Sequence, residues 1–170
     1  AHSPPSTLQP LDVTVLPKLF TAASASQSAP RRAIPLDVRH ADALEEALYS
    51  SIVGNLYAVD FYEQVGLPMA GSAGDKVPSG YAGFVGIPAE GDERDGGQQP
   101  NLSSIILLGN NTVPVVVANS DYAVLAKCIH RSKRRLDSIF GPADMVNPLW
   151  HTLESRMPAP SSYRPIQPLL

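Results

Sequence analysis

Hydrophobic and polar residues along this chain fall into blocks of two different periods, and the blocks predict alternating strands and helices. Ala33 to Leu36 reads as a short strand. Asp37 then suits a helix N-cap, with Ala41, Leu44, Leu48 and Ile52 recurring at three and four residues and Asp42, Glu45 and Glu46 on the other side. A second helical pattern follows at once, with Ile52, Leu56, Val59, Tyr62 and Val65 expected on its inner face and Gly66 with Pro68 as its stop. After a loop from Met69 to Ser79, Tyr81, Gly83, Val85 and Ile87 alternate as a strand that Pro88 ends. Glu90 to Pro100 is acidic and glycine-rich, a surface excursion between strands.

Ile105 to Leu108 is apolar at every position, the pattern of a strand buried on both faces. Gly109-Asn110-Asn111 turns it into Val113 to Ala118, and this pair is expected at the centre of the sheet. Pro114 offers no N–H, so it belongs at a strand start or a bulge. Ser120 is expected to cap a third helix with Tyr122, Leu125, Ala126 and Ile129 inward and Lys127, His130, Arg131, Lys133 and Arg134 outward. Leu136 to Phe140 reads as a strand broken by Gly141-Pro142, and a last helical stretch carries Met145, Leu149, Trp150 and Leu153. Pro148 is expected to restart that helix with Asn147 as cap, since a proline in a first turn sacrifices no hydrogen bond. Tyr163 to Leu170 reads as a final extended segment, as if another element should follow. The expected fold is α/β (α+β): a mixed, mainly antiparallel sheet with helices on both faces, in the order β-α-α-β-β-β-α-β-α-β.

Composition narrows the function classes. With 170 residues, 44% of them hydrophobic, one core and one domain are the expectation. Residues 1–33, rich in Pro, Ser and Ala with one apolar patch from Leu11 to Phe20, form an irregular extension, and 34–170 form the domain. A formal net charge of −3 gives no general attraction to nucleic acid or anionic membrane. The single cysteine, Cys128, excludes an intrachain disulfide, and four histidines show no metal-ligand spacing. No run approaches the ~18 apolar residues of a membrane span and no signal-peptide order opens the chain, so a cytoplasmic location is expected. The triplets beginning at Asn101 and Asn110 then read as chance matches to a glycosylation pattern.

Particular stretches go further. "SIVGNLYAVDFYEQVGL", "GYAGFVG", "LLGNNTVPVVV", "SIFGPADMVNPLWHTLE" and "YRPIQPLL" together resemble the domain of unknown function that precedes the catalytic domain in a group of actinobacterial GNAT-family N-acetyltransferases. The resemblance runs from about Leu36 to Leu170; Gly141-Pro142-Ala143-Asp144 with Pro148-Leu149-Trp150, and Arg164-Pro165 with Gln167-Pro168-Leu169-Leu170, carry it most specifically. It implies a GNAT-like fold and a catalytic, acetyl-CoA-binding domain after Leu170 as the main partner. A working GNAT site holds pyrophosphate on the amides of a [QR]-x-x-G-x-[GA] turn ahead of a helix. The matching connection here is Asn119-Ser120-Asp121, without that turn and with a carboxylate at the helix start. No cofactor and no catalytic residue is therefore expected in this segment.

The resemblance also implies that the first two helices border an acceptor site for a small amine. Asn55, Tyr62 and Glu63 are the candidate acceptor-pocket or interface residues, and they equally suit a module that binds a small regulatory metabolite. Cys128 reads as a buried small hydrophobe, Trp150 as core, and His130 to Arg135 as a solvated helix end. Nothing indicates a nucleic-acid, membrane or metal partner, and the sequence leaves room for a homodimer.

Overall fold

The computed structural model describes residues 30–72, 74–91 and 101–164. The Leu11 to Phe20 patch, most of the acidic loop and the last six residues lie outside that set.

The order is β1 (Ile34–Pro35), α1 (Ala41–Tyr49), α2 (Ile52–Val65), β2 (Gly83–Pro88), β3 (Leu102–Leu108), β4 (Asn111–Val116), α3 (Tyr122–Arg131), β5 (Ser138–Ile139) and α4 (Ala143–Leu153). The five strands lie side by side in chain order. β1 to β4 are antiparallel to their neighbours, and β5 pairs with β4 in parallel at only two positions, Asn111 with Ser138 and Thr112 with Ile139. This is the mixed, mostly antiparallel sheet that the hydrophobic pattern predicts.

Strand alternation divides the interior into two clusters, because successive side chains leave opposite faces of a pleated sheet. Phe84, Ile105, Leu107, Val113 and Val115 meet Leu44 and Leu48 of α1 and Ala58 and Val59 of α2 on one face. Val85, Ile87, Ile106 and Leu108 meet Leu125, Ala126 and Ile129 of α3 and Leu149 and Leu153 of α4 on the other. Pro114 sits inside β4 opposite Ile106, where the β3–β4 register shifts, so its missing donor falls at an irregularity. Close packing across the sheet explains Gly86, where a Cβ would stand 2.9 Å from Leu36 Cδ2 and 3.2 Å from the Ser104 carbonyl.

Four local expectations are corrected. Asp37 caps a single 3-10 turn, Val38–His40, through a capping box with His40, and α1 starts after it. The inner face of α2 is Asn55, Ala58 and Val59, while Ile52, Leu56 and Val65 stand 50%, 64% and 65% exposed. An apolar side chain on both sides of the helix leaves periodicity no basis for choosing, and the small Ala58 lets α2 approach the sheet. Ser120 lies in a 3-10 turn, Asn119–Asp121, and Asp121 is the residue that precedes α3.

The fourth correction is at Pro148, which stands inside one continuous helix. A proline there leaves the carbonyl four residues earlier without its helical donor. That carbonyl belongs to Asp144, and the Tyr122 hydroxyl of α3 donates to it at 3.5 Å. The expected strand from Leu136 to Phe140 is also shorter, confined to β5, and Tyr163 and Arg164 lie in no strand.

Candidate functional site

Two regions bear on the chemistry expected from the sequence: the head of α3 and the layer formed by α1 and α2.

At the head of α3, Asp121 is fully buried. Its carboxylate turns away from the first-turn amides of the helix, making no capping bond, and faces β3. Ser103 Oγ and Ser104 Oγ each donate to Oδ2 at 2.6 Å, and Arg31 Nη1 lies 2.7 Å from Oδ1. Arg31 Nη2 donates to Ser103 Oγ at 2.7 Å and Nη1 to Ser120 Oγ at 3.0 Å. Ser104 Oγ accepts the Ala118 N–H at 2.9 Å, which ties the network to the backbone leading into the helix. A carboxylate taken out of water needs such charged and hydroxyl partners, and here they come from three separated parts of the chain. Arg31 Nε is the one buried polar atom of the cluster without a partner.

Sequence reading places Asp121 at the head of α3, but it expects the carboxylate at the positive end of the helix, whereas the carboxylate faces β3, and it misses the partners. The signal for the serines was present: hydroxyls beginning a strand buried on both faces must bond to something buried. Nothing local in the sequence marks Arg31.

In the other region, α1 and α2 are crossed by two tyrosine–carboxylate contacts. Tyr62 Oη donates to Glu45 Oε1 at 2.6 Å, and Tyr49 Oη to Glu63 Oε1 at 3.4 Å. Acceptance by Glu45, together with partial burial, pushes the Tyr62 phenol up to about 12, since ionising it would set two negative oxygens side by side. The Tyr62 ring packs edge-on to Phe84 at 6.2 Å. Asn55, the third candidate, lies two turns earlier and is 2% exposed. Its amide donates to the Ala47 and Leu48 carbonyls at the end of α1, which holds the two helices together, and its Oδ1 is buried without a partner. The structure thus leaves Glu63 exposed on α2, packs the Tyr62 ring half-buried against Phe84 with its hydroxyl on Glu45, and puts Asn55 in the interior between α1 and α2.

Other groups have plain packing roles. Burial pushes the Cys128 thiol up to about 11, so at neutral pH it is a protonated, poor nucleophile. Asp37 accepts from the Arg39 guanidinium, from the Arg39 N–H and from the Gly71 N–H, which hold its carboxyl well below the usual range despite burial. Trp150 is half-buried rather than core, lining a groove of about 550 Å³ with Met157, Pro160 and Tyr163. Among the described residues, no group of three or more His, Cys, Asp and Glu is arranged to hold a metal ion. No helix among them is long and apolar enough to cross a membrane.

This fold and these sites define a mixed α+β domain with a buried acidic clamp at the start of its third helix. Residues 95–170 match the model of a domain of unknown function (DUF4081). The match takes in β3, β4, α3, β5 and α4, and with them Asp121 and both serines, whereas β1, α1, α2, β2 and Arg31 precede it. No curated protein and no solved structure matches the chain.

Proposed function

We propose that the chain is a non-catalytic GNAT-like domain of an acetyl-CoA-dependent N-acetyltransferase. It packs on a catalytic GNAT domain of the same polypeptide and shapes the site for a small amine acceptor. The carrying observation is the Asp121 carboxylate at the head of α3, clamped by Arg31, Ser103 and Ser104. Pyrophosphate binding at a helix start depends on free amides, close backbone approach and absence of local negative charge. Here Asn119-Ser120-Asp121 supplies no glycine, a buried acid, and an arginine already engaged.

The order of strands and helices supports the same reading by analogy. The apolar groove at Trp150, Met157 and Tyr163 adjoins the segment that leaves α4, a place where a following domain would pack. Tyr62 and Glu63 present a phenol and a carboxylate at the surface of the α1–α2 layer, groups suited to an ammonium at the edge of an acceptor site.

Calorimetric titration with acetyl-CoA tests the proposal directly. Heat at the level of the dilution blank is expected; stoichiometric binding weakened by Ser120→Glu would overturn it. A module that senses a small metabolite is the second reading, motivated by the orphaned Oδ1 of Asn55. A thermal-shift screen of amino acids and polyamines separates the two, because a ligand of the folded state raises the midpoint.

A further inference from the structure

The outward face of α2 changes character along its length. Helical geometry places Ile52, Val53, Leu56 and Tyr57 on the side away from the sheet in the first two turns, and Asp60, Glu63 and Gln64 on that side in the last two. The four apolar residues are 50%, 66%, 64% and 42% exposed. Phe140, 38% exposed, joins them through an edge-on contact with Tyr57 at 5.1 Å. The patch is tied to the sheet: Pro142, in the turn after β5, lies beside Gly54, and Asn111 Nδ2 donates to Tyr57 Oη at 3.4 Å. Single exposed apolar residues need no explanation, but five contiguous ones do.

The flanks of the patch carry opposite charge. On the α1 side and at the C-terminal end of the patch, α1 and α2 hold Asp42, Glu45, Glu46, Asp60 and Glu63, all exposed, and no lysine, arginine or histidine. Beyond Asn111, at the β3–β4 turn, lie Arg134, which donates to Asn110 Oδ1 at 2.9 Å and to the Gly80 carbonyl at 2.7 Å, and Arg135, which is 84% exposed and paired with Asp137, so the net positive charge of this flank is that of Arg134. An acidic flank, an apolar centre and a basic flank form a self-complementary series. A two-fold axis lying in the patch along its middle sets the acidic flank of one copy against the basic flank of the other, with the apolar centres in contact.

We propose that this face is where two copies of the chain pair about a two-fold axis, burying Ile52, Val53, Leu56, Tyr57 and Phe140 of each. A partner of one charge sign would complement only one flank, whereas a second copy supplies both. Five apolar side chains and their rims fall short of the ~800 Å² per partner of a standard stable interface, so the dimer is a reversible one in the micromolar range. This pairing does not depend on the acetyltransferase reading, and a titration with acetyl-CoA leaves it untouched.

Sedimentation equilibrium of the 170-residue chain, from about 5 to about 300 μM, tests it. A reversible monomer–dimer equilibrium that weakens with added salt is expected. Val53→Ser with Leu56→Ser raises the dissociation constant at least about ten-fold, Arg135→Glu raises it several-fold, and Val38→Ser, outside the patch, leaves it unchanged. All four side chains are exposed, so the circular dichroism of each variant stays that of the parent. A monomer over the whole range, or a dimer indifferent to both the serine pair and the charge reversal, overturns the proposal.

Discussion

The two helical layers that sandwich the sheet solve the same packing task with opposite surfaces. The α3–α4 layer has one apolar stripe, and its outward side is charged, with Lys127, His130 and Arg131 exposed beyond buried Leu125, Ala126 and Ile129. The α1–α2 layer is apolar on both sides of α2 and acidic elsewhere. In the first layer the polar chemistry is gathered on buried Asp121; in the second it is divided between buried Asp37 and Asn55 and the tyrosine–glutamate pairs at the surface. The contrast teaches that burial, and not residue type, decides what these carboxylates do. Asp121 is a structural counter-ion, while Glu45 and Glu63 remain open to solvent on one side.

The largest expected effect breaks the internal chemistry. Asp121→Ala removes the shared acceptor of two hydroxyls and a guanidinium and leaves them buried without it, which costs about 3 kcal/mol in urea denaturation. A loss below about 1 kcal/mol would mean that water replaces the carboxylate and that the clamp is not what organises the head of α3.

How far these layers were legible in the sequence follows from the same contrast. α3 could be read because its polar and apolar sides are cleanly divided, so a period of 3.6 selects one face. α2 could be read only in part: Val59 and Tyr62 face inward as expected, but Ile52, Leu56 and Val65 are as apolar as Ala58, and periodicity alone could not tell which of them the sheet would cover. α4 continues through Pro148, where the exposed Asp144 carbonyl that loses its helical donor lies 3.5 Å from the Tyr122 hydroxyl, a tertiary neighbour that local rules cannot contain. β5 is short because β4 faces it in register at Asn111 and Thr112 alone. At the head of α3 the acid itself was legible, yet its arginine partner lies far upstream, in a stretch whose composition suggested no structure.

Asp37→Asn sharpens the comparison from the other layer, and the expected cost is about 2 kcal/mol, because Arg39 is partly exposed and solvent screens that pair. The pH dependence has a definite sign. A carboxyl lowered in the folded state contributes stability above its unfolded value, and loses it as pH falls below the ordinary carboxylate range toward its lowered one. Acid denaturation of the parent should therefore show a component that the Asn variant lacks.

A smaller effect is expected at Pro148→Ala, which restores a helical donor and should stabilise by about 1 kcal/mol. Tyr122→Phe should then cost less in the Ala background than in the parent, a coupling that a double-mutant cycle measures.

The smallest effect is on titration. Near-ultraviolet absorbance should show one tyrosine ionising near pH 12, and Glu45→Gln should bring it down. A phenol raised on folding contributes stability that is complete below the ordinary tyrosine value and is lost as pH climbs from there through about 12, so alkaline unfolding should steepen in that window.

Arg31 stands three residues before the first strand, yet it neutralises an acid that follows the fourth, at the head of α3. A shortened chain that began at Ile34 would keep every strand and helix described and still expose a naked buried charge. The smallest fragment that refolds should accordingly carry that arginine with it.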